Sequence, residues 1–374
     1  MSRRVAFIDY FPAHYRVGLY EEIGRRMDAD FYFFSDEAER WQNRKIPAAW
    51  TDGDYRRREL WKTRVLGQAV MPGIARVLGR YDAVIKNLNG KLMLPLTYGT
   101  AKARGVAFVL WTGMWYRPTT RTHRLTRRLT EGVYRGSDAI VAYGDHVKRF
   151  LTAVPGVTPD KVHVAGQAVN PDRFEPVEPH RDGSSAEILF IGQFKEYKGV
   201  PTLLDAFGML ADTPARLRLI GNGPLEPAIR QRALPGLEIV GHVPQAELPK
   251  ELARARCLVL PSETTELDRE PWGLVVNEAM HAGLPVVAST AVGAAAGGLV
   301  EDGKNGFVFP EGDAGALAEA LRRLVASRDL AARLGEQARQ DVRRFSYARM
   351  ASAFEDAVEY GVLAAAAARG RPST

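Results

Sequence analysis

The sequence predicts two consecutive doubly wound (Rossmann-like) α/β domains, each a parallel sheet wrapped by helices. Three observations carry this expectation. Short apolar, β-rich runs alternate with longer helical patterns along the whole chain, as parallel strands joined by crossover helices do. The chain has 374 residues, more than one hydrophobic core accommodates and enough for two domains of roughly 150 to 200 residues. A segment rich in Pro and Gly and poor in apolar residues, 171–185, separates the two sets of strands and reads as a linker.

In the first domain, 1–170, the strands fall at 5–8, 31–34, 83–86, 107–111 and 139–143. In the second, 186–349, they fall at 188–191, 217–220, 237–240, 257–260, 286–288 and 307–309. Hydrophobic residues make up 46% and charged residues 25% of the chain, the composition of a soluble globular protein rather than a disordered one. The opening MSRRVAFIDYF has too short an apolar run for a signal peptide, and no run of about 18 apolar residues is available to span a membrane. The single Cys257 lies in the run Cys-Leu-Val-Leu, where it reads as a buried strand thiol without an intrachain disulfide, in keeping with a reducing cytoplasm.

The net charge of +7 is divided unevenly: residues 1–176 carry 29 basic against 18 acidic side chains, and the remainder 22 against 26. An asymmetry of this kind points the basic half toward an anionic partner. Its densest part has Arg117, Arg121, Arg124, Arg127, Arg128 and Arg135 around Leu125, Leu129 and Val133 at helical spacing. A basic amphipathic helix can lie on an anionic membrane, and the same pattern serves a solvated helix whose leucines pack on a sheet. The aromatic and basic residues form no nucleic-acid motif, so no nucleic-acid partner is expected.

Ligands of open parallel sheets bind beyond the carboxyl ends of the strands. Three such loops of the second domain carry chemistry. Gly192-Gln193-Phe194-Lys195-Glu196-Tyr197-Lys198-Gly199 precedes a helical pattern, so that Lys198 and the helix N-terminus can hold one anion between them; a solvated lysine in a turn gives the same letters. Gly221-Asn222-Gly223-Pro224 opens another helix, and its glycines permit close backbone approach. In Glu270-Pro271-Trp272-Gly273-Leu274-Val275-Val276-Asn277-Glu278, a proline suits a helix start and the amides near Gly273, Leu274 and Val275 can cradle an oxyanion. Glu270 stands outside that helix, and Glu278, further along it, can accept hydrogen bonds from ribose hydroxyls. A dipole partner and a solvated helix residue are the plainer roles for these two acids.

These motifs, taken in order with Gly241-His242-Val243-Pro244, Gly283-Leu284-Pro285-Val286 and Glu301-Asp302-Gly303-Lys304-Asn305-Gly306, resemble glycosyltransferase family 4. The resemblance covers about 180 residues and implies the GT-B architecture of two facing doubly wound domains, with a C-terminal helix, about 350–374, crossing back to the first. It implies a retaining, metal-independent transfer of a sugar from a nucleotide-diphosphate donor to a hydroxyl acceptor, such as a glycan, glycolipid or natural product. Glu278 would hold the ribose, Glu270 the transferred sugar, Lys198 the diphosphate, and the backbone at His242 and Val243 the base. Gln193, Lys195, Gly221 and Gly223 complete the donor set. The family usually has Arg where this chain has Gln193, which leaves Lys195 as the other basic group of that loop. On the acceptor side, in the first domain, stand Tyr10, His14, Arg16, Asn87, Asn89 and Trp115, with His14 the candidate for a catalytic role beside Glu270 and Lys198. No cofactor is expected, and the histidines have no zinc-ligand spacing. The acceptor, if lipid-linked, would place the protein peripherally on the inner face of a membrane. A GT-B enzyme using a pseudo-donor or sugar phosphate, and a catalytically silent sugar-nucleotide binder, remain as alternatives.

Overall fold

The computed structural model describes residues 3–35, 52–174 and 186–370. The chain divides into two compact units, Met1–Trp115 with Leu125–Val169 and Ser346–Thr374, and Tyr116–Arg124 with Asn170–Phe345. The linker expected at 171–185 lies for the most part outside the described residues. Residues 116–124, expected in the first domain, cluster instead with the second unit, because Thr119 N donates to Glu266 O at 2.9 Å and Tyr116 OH donates to Leu267 O.

In unit 1 the chain runs β1 (Arg4–Asp9), α1 (Val17–Arg26), β2 (Asp28–Phe33), a hairpin of β3 (Thr63–Val65) and β4 (Gln68–Val70), α2 (Ile74–Val77), β5 (Ala83–Asn87) and α3 (Met93–Arg104). It continues through β6 (Ala107–Thr112), α4 (Arg121–Gly136), β7 (Ala139–Ala142), α5 (Asp145–Thr152) and β8 (Val162–Val164). The parallel sheet has the order β2-β1-β5-β6-β7-β8, in register from Val5 opposite Ala83 to Thr112 opposite Ala142. Its strands are apolar on both faces because helices cover both. One face packs on α1, with Leu19, Tyr20 and Ile23, and the other on Ile74, Met93, Tyr134 and Val147 of α2 to α5.

Unit 2 contains β9 (Ala186–Ile191), α6 (Val200–Gly208), β10 (Ala215–Ile220), α7 (Glu226–Gln231), β11 (Leu237–Gly241), α8 (Leu248–Arg254) and β12 (Cys257–Leu260). It ends with α9 (Leu274–His281), β13 (Val286–Ser289), α10 (Gly293–Ala296), β14 (Gly306–Phe309), α11 (Ala314–Ala326) and α12 (Arg328–Val342). The sheet order is β11-β10-β9-β12-β13-β14, again all parallel. The chain then returns to unit 1 as α13 (Tyr347–Ala368), whose Met350, Phe354, Ala357 and Val358 join the same core as α1. Cys257 is fully buried, and burial pushes its thiol up to about 12.

Both sheets have a point where the strand order reverses, between β1 and β5 in unit 1 and between β9 and β12 in unit 2. Neighbouring loops leave in opposite directions there and open a crevice at the carboxyl edge. The expected strands are all present. The β3–β4 hairpin and the edge strand β8 were not foreseen, each being only three residues per strand.

Candidate functional site

At the switch point of unit 2, the loops after β9 and β12 are locked together. Gly199 has φ of +64°, and a Cβ there would lie 1.8 Å from Pro261 O, so only glycine permits this approach. Glu263 N donates to Tyr197 O at 2.8 Å, and Thr202 Oγ1 donates to Glu263 Oε1. This clamp delivers Lys198 to Glu270: the ammonium donates to Glu270 Oε2, and Ser262 Oγ donates to the same oxygen at 3.3 Å. Both members of the pair are buried. Burial alone would lower the Lys198 ammonium, but the Glu270 carboxylate beside it, with the Tyr197 hydroxyl, holds it above the ordinary lysine value.

Glu270 is fixed from behind as well, since its carbonyl accepts from Gly293 N at 3.2 Å. Gly273, with φ of +88°, caps α9, and Trp272 Nε1 donates to Asn277 Oδ1 at 2.7 Å, fixing the first turn of that helix. The amides of Leu274 and Val275 therefore open α9 beside the Lys198–Glu270 pair, with the positive end of the helix dipole behind them. Glu278 lies further along α9, half-buried. Burial pushes its carboxyl up to about 7, and Arg173 opposes that rise. Arg173 Nη1 in turn donates to Gln245 Oε1 at 3.4 Å.

Gly221 and Gly223 lie in the loop after β10, tied to the loop after β9 by Phe194 N donating to Asn222 O at 2.8 Å. Gln193 and Lys195 are half-buried in that loop. His242 is exposed and Val243 half-buried just after β11, whose Gly241 carbonyl accepts from Gly221 N at 2.7 Å. The expected donor residues thus gather on the carboxyl edge of one sheet. Arg173, Tyr197 and Ser262 join them without having been foreseen, because nothing local in the sequence marks a contact made across tens of residues.

The switch point of unit 1 is furnished differently. Asp9 ends β1 and accepts from Tyr10 N at 2.7 Å, Arg16 Nη1 at 2.8 Å, Tyr20 OH at 2.9 Å and Asn87 Nδ2. Arg16 also donates to Tyr143 OH at 2.8 Å and lies 4.2 Å over the Trp111 ring. Burial pushes the Tyr143 hydroxyl up to about 12. Lys86, fully buried, donates to Asn87 O, Asn87 Oδ1 and Asn89 O at 2.7–2.8 Å, and burial pulls it down to about 7 against the pull of Asp9. Arg16 and Asn87, read from the sequence as acceptor-facing, are therefore committed to an internal network. Tyr10, His14 and Trp115 are half-buried and Asn89 exposed at the same edge. His14 opens a short 3-10 turn, edge-on to Tyr15, and Trp115 stands edge-on to His146. A lone carboxylate closing an apolar strand, as Asp9 does, was the signal available for this network.

Two Asp-x-Asp spacings are present, at Asp28–Asp30 and Asp52–Asp54. Asp28 is paired with Arg56, and Asp30 with Arg58 at 3.0 Å and Tyr81 at 2.7 Å. Among the described residues no group of three or more His, Cys, Asp or Glu is arranged to hold a metal ion.

Residues 185–327 match the family model for glycosyl transferases group 1. That stretch contains every residue of the unit 2 edge described above except Arg173. Curated relatives are similar over parts of their length. The amylovoran biosynthesis glycosyltransferase AmsK of Erwinia amylovora is 31% identical over 45% of this chain and 43% of that protein. The D-inositol 3-phosphate glycosyltransferase of Streptomyces scabiei is 30% identical over 59% of this chain and 53% of that protein. The chain thus spans about half the length of the curated relatives it matches. The likeness of fold extends further. HepE of Anabaena, solved in complex with UDP and glucose, superposes with a TM-score of 0.73 at 16% identity, covering 96% of this chain and 99% of that one. A sucrose-phosphate synthase from Thermosynechococcus elongatus superposes with a TM-score of 0.69 at 18% identity, covering 94% and 97%. The fold is GT-B, two Rossmann-like domains.

Proposed function

We propose that this chain is a retaining glycosyltransferase of family 4, with unit 2 binding a nucleotide-diphosphate sugar and unit 1 recognising a hydroxyl acceptor. The observation that carries the reading is the buried Lys198–Glu270 pair beside the start of α9, at the switch point of the sheet and inside the residues matched to the glycosyl transferase model. The complexes of HepE with UDP and with UDP-glucose support a nucleotide-sugar donor.

In this reading the diphosphate lies against Lys198 and the amides at Gly273, Leu274 and Val275. As the bond from sugar to phosphate breaks, negative charge grows on the leaving diphosphate. A preorganised ammonium and a helix N-terminus stabilise that charge without first having to reorient. They supply what a divalent cation would, so the transfer is metal-independent. Glu270 is then released from Lys198 to accept hydrogen bonds from the sugar hydroxyls, which positions the anomeric carbon. Glu278 accepts from the ribose, and the backbone at His242 and Val243 faces the base. A second reading, a pseudo-donor or sugar phosphate in the same site, is favoured by the neutral Gln193 in the diphosphate loop.

A thermal-shift panel of UDP, GDP, ADP and dTDP with their sugars, on the wild type and Glu278→Ala, tests the reading. One nucleotide family should raise the Tm of the wild type, by mass action on the folded state, and not that of the variant. No shift with any of them rejects the nucleotide-sugar donor.

A further inference from the structure

Helix α4 carries its apolar stripe on the wrong side for a core. Its one buried residue is Tyr134, rooted with half-buried Val133 in the apolar layer beneath the sheet. Nine residues at about 100° each turn the helix by a net half-turn, so Leu125 points opposite to Tyr134, and Leu129 follows it one turn on. Leu125 is 83% and Leu129 73% exposed. The leucines are therefore not packed on the sheet.

Arg121, Arg124 and Arg128 flank the same outward side. Among the described residues none of these three has a carboxylate partner, whereas Arg127 and Arg135 are held by Glu131 at 2.8 and 3.9 Å. A second exposed apolar feature is rooted in the same layer. Val70 of the β3–β4 hairpin is buried there, while Leu66 at its tip is 91% exposed and Trp61, just before it, 70% exposed.

We propose that this chain docks on an anionic lipid bilayer through the outward face of α4, with the β3–β4 hairpin as a second point of contact. Leu125 and Leu129 enter the boundary between headgroups and acyl chains, and the arginines beside them lie among the lipid phosphates. A bilayer fits better than a nucleic acid because the centre of the face is apolar and the charge is at its flank. Charge complementarity selects the anionic surface, since the half of the chain that bears this face holds 29 basic against 18 acidic residues. The proposal does not depend on which donor unit 2 binds.

Flotation of the purified chain with vesicles of phosphatidylcholine, alone or with about 30% phosphatidylglycerol, tests it. The wild type should float with the anionic vesicles and not the neutral ones, and stay at the bottom in about 0.5 M salt. Leu125→Asp with Leu129→Asp should lower the partition coefficient by about tenfold or more. Arg124→Gln with Arg128→Gln should lower it by about thirtyfold at two arginines near the surface. Both variants alter exposed positions, and an unchanged Tm with retained nucleotide binding shows that they fold. Failure of the wild type to float with anionic vesicles overturns the proposal, as does flotation of the folded leucine variant at the wild-type level.

Discussion

In unit 1 the carboxylate that closes the first strand, Asp9, is saturated by four donors, and its arginine partner has a second hydrogen bond and an aromatic platform. In unit 2 the carboxylate at the equivalent edge, Glu270, accepts from Lys198 and Ser262, with the start of a helix beside it. The two sheets share a topological device, yet one edge is filled by its own side chains and the other holds a charge pair that a phosphate can divide. A buried carboxylate ringed by four donors acts as structure. A buried pair with amides waiting next to it can exchange partners.

The sharpest break in that contrast is Arg16→Leu. It leaves Asp9 buried without its cation and should cost about 3–5 kcal/mol in urea unfolding. Nucleotide affinity of whatever remains folded should be unchanged, and a loss of affinity larger than the loss of stability would erase the distinction. Lys198→Ala is the mirror experiment. Turnover of the nucleotide sugar should fall about 100- to 1,000-fold, the range for removing a donor from a developing oxyanion. Lys198→Met combined with Glu270→Gln should recover stability lost in the single variant and recover no turnover, measured by Tm and kcat/KM.

Glu278 sharpens the comparison through pH. Its carboxyl is raised to about 7, above the ordinary value near 4.5, so the folded protein holds a proton that the unfolded chain has lost across that window. Stability should therefore fall as pH rises from about 4.5 to 7, by no more than about 3 kcal/mol for a half-buried group. Urea unfolding of Glu278→Gln should lack that part of the slope. The smallest effect is expected from Gln193→Arg, which adds a cation to the loop after β9 and, in the proposed donor site, should tighten nucleoside diphosphate binding by about tenfold, read by calorimetry.

Much of the fold was legible because strands covered on both faces are written as uninterrupted apolar runs, Cys257–Leu260 being a plain case. The hairpin at 63–70 escaped because a tip of exposed Val65 and Leu66 carries no alternating pattern to read. The unit 2 edge was legible as separate loops, since glycine and proline punctuate strand-to-helix turns. Their union was not: Lys198 and Glu270 are 72 residues apart, and only the sheet order brings them together. The hydrogen-bond network of the unit 1 edge was not legible for a related reason. A polar residue at the end of a strand can face a ligand or a neighbour with equal ease, and it is the donors around Asp9 that turn Arg16 and Asn87 inward.

The placement of α13 sets an order of assembly during synthesis. Unit 2 is almost contiguous in the chain, whereas the core of unit 1 lacks Met350, Phe354 and Val358 until the helix after Phe345 has been made. Domains usually fold as they leave the ribosome, beginning at the N-terminus. Here the part translated first must wait with one side of its sheet covered by α1 alone while the part translated second closes on itself.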